Sequence, residues 1–196
     1  GDTKFAYINA ESVVCIYDME EKKVVHEISS LDASSILSDH AGKYIAVQDL
    51  ADVTTFFDGE SYEELGSIPS IGILRYSDDP YISEEGYYVR SYSQENAKID
   101  SIFMTVHFFD LNNMEELSSY YLEEKRIQDI MISDGIAYIA STRQRDNNLK
   151  ADAYITAVDI HTGKMLWENE MKDYYAEKVA LPYNEDATDL LFVTSD

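Results

Sequence analysis

Short apolar runs, each closed by a turn rich in Gly, Asp or Asn, recur along this chain in the same order. The clearest copy reads Met131-Ile132-Ser133, the turn Asp134-Gly135, and Ala137-Tyr138-Ile139-Ala140. After an interval it continues as Ala157-Val158-Asp159, the turn His161-Thr162-Gly163, and Lys164-Met165-Leu166-Trp167. An earlier copy reads Ile36-Leu37-Ser38, Tyr44-Ile45-Ala46-Val47, Phe56-Phe57-Asp58 and Glu64-Leu65. Another reads Tyr81-Ile82-Ser83, Tyr87-Tyr88-Val89, Phe108-Phe109-Asp110 and Glu116-Leu117. Asp-Gly and Thr-Gly between apolar runs are hairpin chemistry, because Gly accepts the positive φ such turns require. The runs are rich in Tyr, Ile, Val and Phe, which suit a pleated surface. No window of useful length keeps apolar residues at helical spacing. Met114 to Leu117 has helical propensity but occupies the fourth-strand slot of its copy, so a strand is expected there. Paired apolar positions such as Phe56-Phe57 and Phe108-Phe109 predict strands covered on both faces.

The spacing between copies is regular. Ser38 to Ser83 is 45 residues, Ser83 to Ser133 is 50, Asp58 to Asp110 is 52 and Asp110 to Asp159 is 49. Four short strands at a period of about 40–50 residues are the signature of a propeller blade. The expected fold is therefore all-β: β-propeller-type repeats of four-stranded antiparallel blades, with strands A to D in each. The units run over about 4–31, 35–70, 72–124, 127–173 and a partial 177–196, roughly four and a half repeats in a single propeller-like domain over 1–196. The chain begins at strand B of one blade and ends at strand B of another, which reads as an arc of a larger propeller. Exposed blade edges of this kind favour self-association.

Composition narrows the function classes. Formal net charge is -23, from 38 acidic and 15 basic residues. Such a surface repels phosphate backbones, so neither nucleic acid nor an anionic membrane is an expected partner. The densest basic run, Arg143-Gln144-Arg145, is no basic patch. The single cysteine, Cys15, sits in an apolar run and excludes an intrachain disulfide. No apolar run approaches a membrane span. The chain opens on Gly1 instead of Met, read as a trimmed start from which a leader or anchor has been removed. An extracellular or cell-envelope location is expected, with a cytoplasmic one left open.

Candidate chemistry is sparse. His26, His40, His107 and His161 stand too far apart for any zinc-type spacing. The acidic pairs Asp78-Asp79, Glu84-Glu85 and Glu123-Glu124 follow from composition. Asp146, Asn148 and Asp152 alternate as in a calcium loop, but Lys150 stands where a third oxygen ligand belongs. No cofactor, metal or catalytic residue is assigned. Asp18, Asp58, Asp110 and Asp159 close the third strand of every copy, which predicts a structural role accepting backbone N–H bonds in the turn.

Departures from the repeat carry more information. The connection between strands B and C is short at Asn9–Ser12 and Asp49–Asp52, yet long at Ser91–Asp100 and Arg143–Asp152. Two adjacent long loops, beside Tyr120-Tyr121 and Tyr174-Tyr175, predict a partner-binding face. Its candidate residues are Ser91, Gln94, Asn96, Tyr121, Arg143, Arg145, Asn147 and Tyr175. Tolerated insertions are the equal alternative. The partner expected is a protein or polar ligand, polar or basic in character.

The run Ala157 to Trp167, with its Asp-x-x-x-Gly-Lys-x-x-Trp pattern, resembles the repeat of quinoprotein-like propellers. The other copies resemble the looser repeats of WD40-like bacterial propellers. The resemblance implies that Trp167 packs between neighbouring blades. The other copies lack that Trp, and with one Cys and one Trp the chain has no elements to cap and stack a quinone. Cofactor-free members of this group are binding scaffolds. The expected function is a non-enzymatic binding or scaffold module for protein or ligand recognition, which the resemblance implies to sit at a bacterial cell envelope. Two alternatives stand beside it: part of a propeller enzyme, quinoprotein-like or glycan-active, whose catalytic blades lie outside this chain, and a cytoplasmic WD40-like scaffold.

Overall fold

The computed structural model describes residues 3–29, 32–70, 80–96, 101–145, 150–180 and 190–195. Every regular element among them is a strand. The first sheet orders β1 (Lys4–Ile8), β2 (Val14–Asp18) and β3 (Lys23–Ile28). The second orders β4 (Ala33–Ser38), β5 (Tyr44–Asp49), β6 (Thr54–Asp58) and β7 (Glu64–Ile68). The third comprises β8 (Tyr81–Ile82), β9 (Tyr87–Asn96), β10 (Ser101–Asp110) and β11 (Glu115–Glu123). The fourth comprises β12 (Arg126–Ser133), β13 (Ile136–Arg145), β14 (Lys150–Asp159) and β15 (Lys164–Lys172). A two-stranded sheet, β16 (Tyr175–Ala180) and β17 (Leu191–Ser195), follows. All pairings are antiparallel between sequence neighbours. The segment from Met114 enters strand β11, as its place in the repeat predicts.

Contacts divide the chain into two compact units. Residues 1–72 with 111–114 form one, and residues 73–110 with 115–196 form the other. In the first unit, Val14, Ile16 and Ile28 of the first sheet pack on Ile45, Val47 and Phe57 of the second. In the second unit, Val106, Phe108 and Leu122 of the third sheet meet Ile130, Ile139 and Val158 of the fourth. The other face of the fourth sheet, through Ala140, Ala153 and Ile155, packs on Ala176 and Val179 of β16. Phe56 and Phe57, like Phe108 and Phe109, are buried together, so both faces of these strands are covered. Burying each such ring contributes about 1.5–3 kcal/mol.

The turns that follow Asp18, Asp58 and Asp159 are built alike. Asp18 Oδ1 accepts from the amides of Glu20 and Glu21, at 2.8 and 3.0 Å. Asp58 Oδ1 accepts from Glu60 and Ser61 at 3.0 and 2.7 Å, and Asp159 Oδ1 from His161 and Thr162 at 2.9 and 3.0 Å. The residue four places after each Asp is left-handed: Lys22 (φ 54°), Tyr62 (61°), Met114 (58°) and Gly163 (66°). A β-bulge precedes each turn, at Ile16/Tyr17, Phe56/Phe57, Phe108/Phe109 and Ala157/Val158. The bulge sharpens the twist of the outer strand pair. Short neighbours to this device appear at Asn9 and Asp49, whose Oδ1 atoms accept from the amides two and four residues on.

Trp167 departs from expectation. It is 40% exposed on β15, with its ring tilted against Tyr138 at 6.2 Å. Among the described residues the next sheet contributes β16 and β17, which pack on Tyr138 and Ala140. Trp167 is not packed between blades.

Candidate functional site

The two segments read as long loops are largely strand. β9 pairs with β10 through Asn96 and Ser101, and β13 pairs with β14 through Arg145 and Lys150. Each hairpin thus extends as a ten-residue strand pair, where β1–β2 and β5–β6 are five or six residues long. Ser91 is 2% exposed within β9 and presents nothing to a partner. Its place in a continuous ladder, and not at a loop tip, is the reason. Gln94 and Asn96 also lie on β9. Asn147 lies outside the described residues, as do Asp146 and Asn148. Tyr121 is exposed within β11, and Tyr175 is half-buried where β16 begins.

Arg143, Arg145 and Tyr175 gather at one end of the fourth sheet. The amide of Ala176, next to Tyr175, donates to Thr142 Oγ1 at 3.0 Å, which fixes the start of β16 beside Arg143. Arg145 lies 2.8 Å from both Asp152 and Asp173. Asp152 is a buried strand residue whose other oxygen accepts the amide of Asp173 at 3.1 Å, so its carboxylate is committed to structure. Among the described residues no group of three or more His, Cys, Asp and Glu side chains could hold a metal ion.

Beside these arginines lies a network that the repeat pattern did not flag. The Tyr154 ring is buried between the Lys125 ammonium at 4.1 Å and the Arg143 guanidinium at 5.3 Å. Its hydroxyl donates to Glu170 Oε1 at 2.7 Å, and Arg143 approaches the same oxygen at 3.6 Å. Lys125 pairs with Glu168 at 2.7 Å, whose Oε2 also accepts from Thr156 Oγ1 at 2.8 Å. Burial, with the Glu170 carboxylate behind it, pushes the Tyr154 phenol up to about 12. Register counted from Asp159 opposite Lys164 would set Tyr154 against Asn169; the bulge at Ala157/Val158 shifts the pairing by one and brings Tyr154 opposite Glu170 across β14 and β15. This surface carries ion-paired, half-exposed guanidinium groups on a stiff strand pair.

No protein-family model and no curated protein matches the chain. Solved structures are similar to it over nearly its whole length. The β-propeller domain of Cps50 (Swd1) from Myceliophteria thermophila superposes with a TM-score of 0.59 at 10% identity, covering 97% of this chain and 60% of that one. The chain has the β-propeller fold. Hydrazine synthase from Kuenenia stuttgartiensis gives 0.60 at 16% identity, over 97% of this chain and 58% of that one. The complex of KlAtg21 with the coiled coil of AgAtg16 gives 0.60 at 15% identity, over 97% and 60%. This propeller chain therefore spans about 60% of the length of these structures. At such identities the likeness carries the fold alone. No helix of the described residues is long and apolar enough to cross a membrane, which says nothing of β-barrels.

Proposed function

We propose that this chain is a non-catalytic propeller module, an arc of a larger propeller, that captures a polar or basic protein partner at the end of the fourth sheet bearing Arg143, Arg145 and Tyr175. The observation that carries this reading is the joint extension of β9–β10 and β13–β14. Equivalent hairpins lengthen in adjacent repeats, and their extra residues are held in ladders, so they present side chains with little ordering cost on binding. Exposed Tyr174, next to the Asp173 that pairs with Arg145, together with half-exposed guanidinium groups matches the composition of recognition surfaces. A net charge of -23 favours a basic partner and makes association salt-sensitive. One similar structure is a complex with a coiled coil, which supports protein recognition as the role. The cell-envelope location belongs to the same reading and rests on the resemblance to cofactor-free envelope scaffolds.

Hydrogen-exchange mapping of the protein with its captured partner tests the proposal. Protection at Tyr121, at 143–145 and at Tyr174-Tyr175, fading as salt is raised, is the expected result. Protection confined to other strands overturns the face assignment. A full-length chain whose remaining blades carry a catalytic cluster overturns the non-catalytic reading in favour of a propeller enzyme.

A further inference from the structure

The two faces of β15 differ in character. Glu168 and Glu170 lie on one side, where Lys125, Thr156 and Tyr154 hold them. Trp167, Asn169 and Met171 alternate with them and stand opposite Ala157, Ile155 and Ala153 of β14. Ala153 and Ile155 belong to the core shared with β16, so Trp167 and Met171 share the face on which the next sheet packs. That interface continues outward without a break: Tyr138 packs against its core, and the Trp167 ring lies 6.2 Å from the Tyr138 ring. Trp167 and Met171 are nevertheless exposed. The apolar surface extends beyond what β16 and β17 bury.

The first sheet has the counterpart. Val14, Ile16 and Ile28 bury one of its faces against the second sheet. The other face sets Phe5 opposite Tyr17 and Tyr7 opposite Cys15, with Val24 opposite Tyr17 on the far side. The Phe5 ring lies 5.2 Å from Tyr17 and 6.0 Å from Tyr7, a joined aromatic surface. Phe5 is 47% exposed, and Tyr7 and Val24 are exposed beside it.

Polarity and charge select the occupant. Sheets in this chain stack face to face in sequence order, the first on the second and the third on the fourth. The open face of the first sheet is turned away from the sheet that follows it, whereas the open part of the fourth is turned toward its follower. The two therefore match head to tail. The chain carries 38 carboxylates and a net charge of -23, which drives copies apart and draws basic groups elsewhere. The exposed apolar side chains of these two faces are uncharged, and Glu27, opposite Cys15, is the one carboxylate that the pairing sets beside the rings. Here two copies approach with least repulsion and with apolar area to remove from water.

We infer, from the arc reading alone and not from the hairpin surface, that this chain self-associates: the aromatic face of the first sheet in one copy packs on the Trp167–Met171 face of β15 in another. The second copy supplies the next sheet of the larger propeller. The contacting surfaces differ, so the junction is heterologous.

Sedimentation velocity over a concentration series, read beside Trp167 fluorescence, tests this on the whole chain. Association with a dissociation constant of about 100 μM or tighter is expected. Acrylamide quenching of Trp167 should fall from its monomer level as the associated fraction grows. Raised salt should strengthen association by screening the charge between copies, opposite to the response of a basic partner. Phe5→Glu and Met171→Glu should each weaken it at least about tenfold with unchanged thermal melts. Leu50→Glu, at an exposed turn on neither face, should not. An equimolar mixture of the Phe5→Glu and Met171→Glu chains keeps one intact junction and should associate where neither does alone. A monomer at every concentration overturns the inference in favour of a further strand pair or another apolar partner on these faces. Association that leaves Trp167 unshielded, folded variants that associate as before, or a mixture that stays monomeric would each overturn the head-to-tail contact. The opposite salt responses and separate surfaces let this result and the exchange mapping fail or succeed independently.

Discussion

Tyr154 and Glu170 face each other across β14 and β15, joined by a hydrogen bond of 2.7 Å from phenol to carboxylate. The bond requires the neutral phenol. With its value raised from 10.0 to about 12, Tyr154 supplies stability that is whole below pH 10 and lost as pH rises through 12. Thermal melts across that alkaline window should show the loss. Tyr154→Phe should cost roughly 1.5–3 kcal/mol at neutral pH, the scale of a hydrogen bond to a charged acceptor, and should flatten the alkaline limb.

The turn carboxylates act at the other end of the pH scale. Backbone amides hold Asp18, Asp58 and Asp159 below their ordinary value of 3.8. A depressed carboxylate supplies stability above the ordinary range and loses it as pH falls below. Asp159→Ala should lower the melting temperature at pH 7. Asp159→Asn, which keeps an accepting oxygen, should recover much of that loss while reducing sensitivity to acid. Melts at pH 7 and pH 3 check both.

Gly59 and Gly163 are fixed by close approach. A Cβ at Gly163 would press on the Ser119 carbonyl of the neighbouring sheet, in a residue with φ of 66°. At Gly59 it would strike the Gly42 carbonyl. Backbone cannot yield as a side chain can, so Gly59→Ala and Gly163→Ala should each cost at least about 1–3 kcal/mol in urea unfolding. Gly135→Ala meets the movable His161 ring instead, and its cost should come mainly from its φ of 70°.

Trp167 is the only tryptophan, so it reports its surroundings directly. Being 40% exposed, it should be quenched readily by acrylamide in the folded protein. Trp167→Ala should cost far less than Phe108→Ala, for which a fully buried ring predicts about 3–5 kcal/mol.

The strands of the repeat were legible because their apolar runs and turn residues agree. The apolar part of β14 and the Asp159–Gly163 turn lie where the pattern places them, although the strand already begins at Lys150, inside the segment read as a loop. Polar stretches were harder. Ser91 to Asn96 alternates too few apolar residues to announce a strand, yet its backbone pairs with β10 because a hairpin ladder needs no apolar side chains once its base is buried. The placement of Trp167 failed for another reason. Its motif fixes the turn at Gly163 and the strand that follows, whereas the burial of a side chain on that strand is set by what packs on it, which a local motif does not encode.

The left-handed residue that ends each third-to-fourth-strand turn gives the chain an unused margin of robustness. Gly163 meets that backbone demand without a Cβ, while Lys22 and Met114 meet it against a steric penalty of roughly 1–2 kcal/mol. Part of that penalty should return on Lys22→Gly, less the added freedom of glycine in the unfolded chain. A single position therefore offers a graft point at which one repeat's solution transfers to another, and a consensus blade made this way would tolerate losses elsewhere that the natural repeats do not.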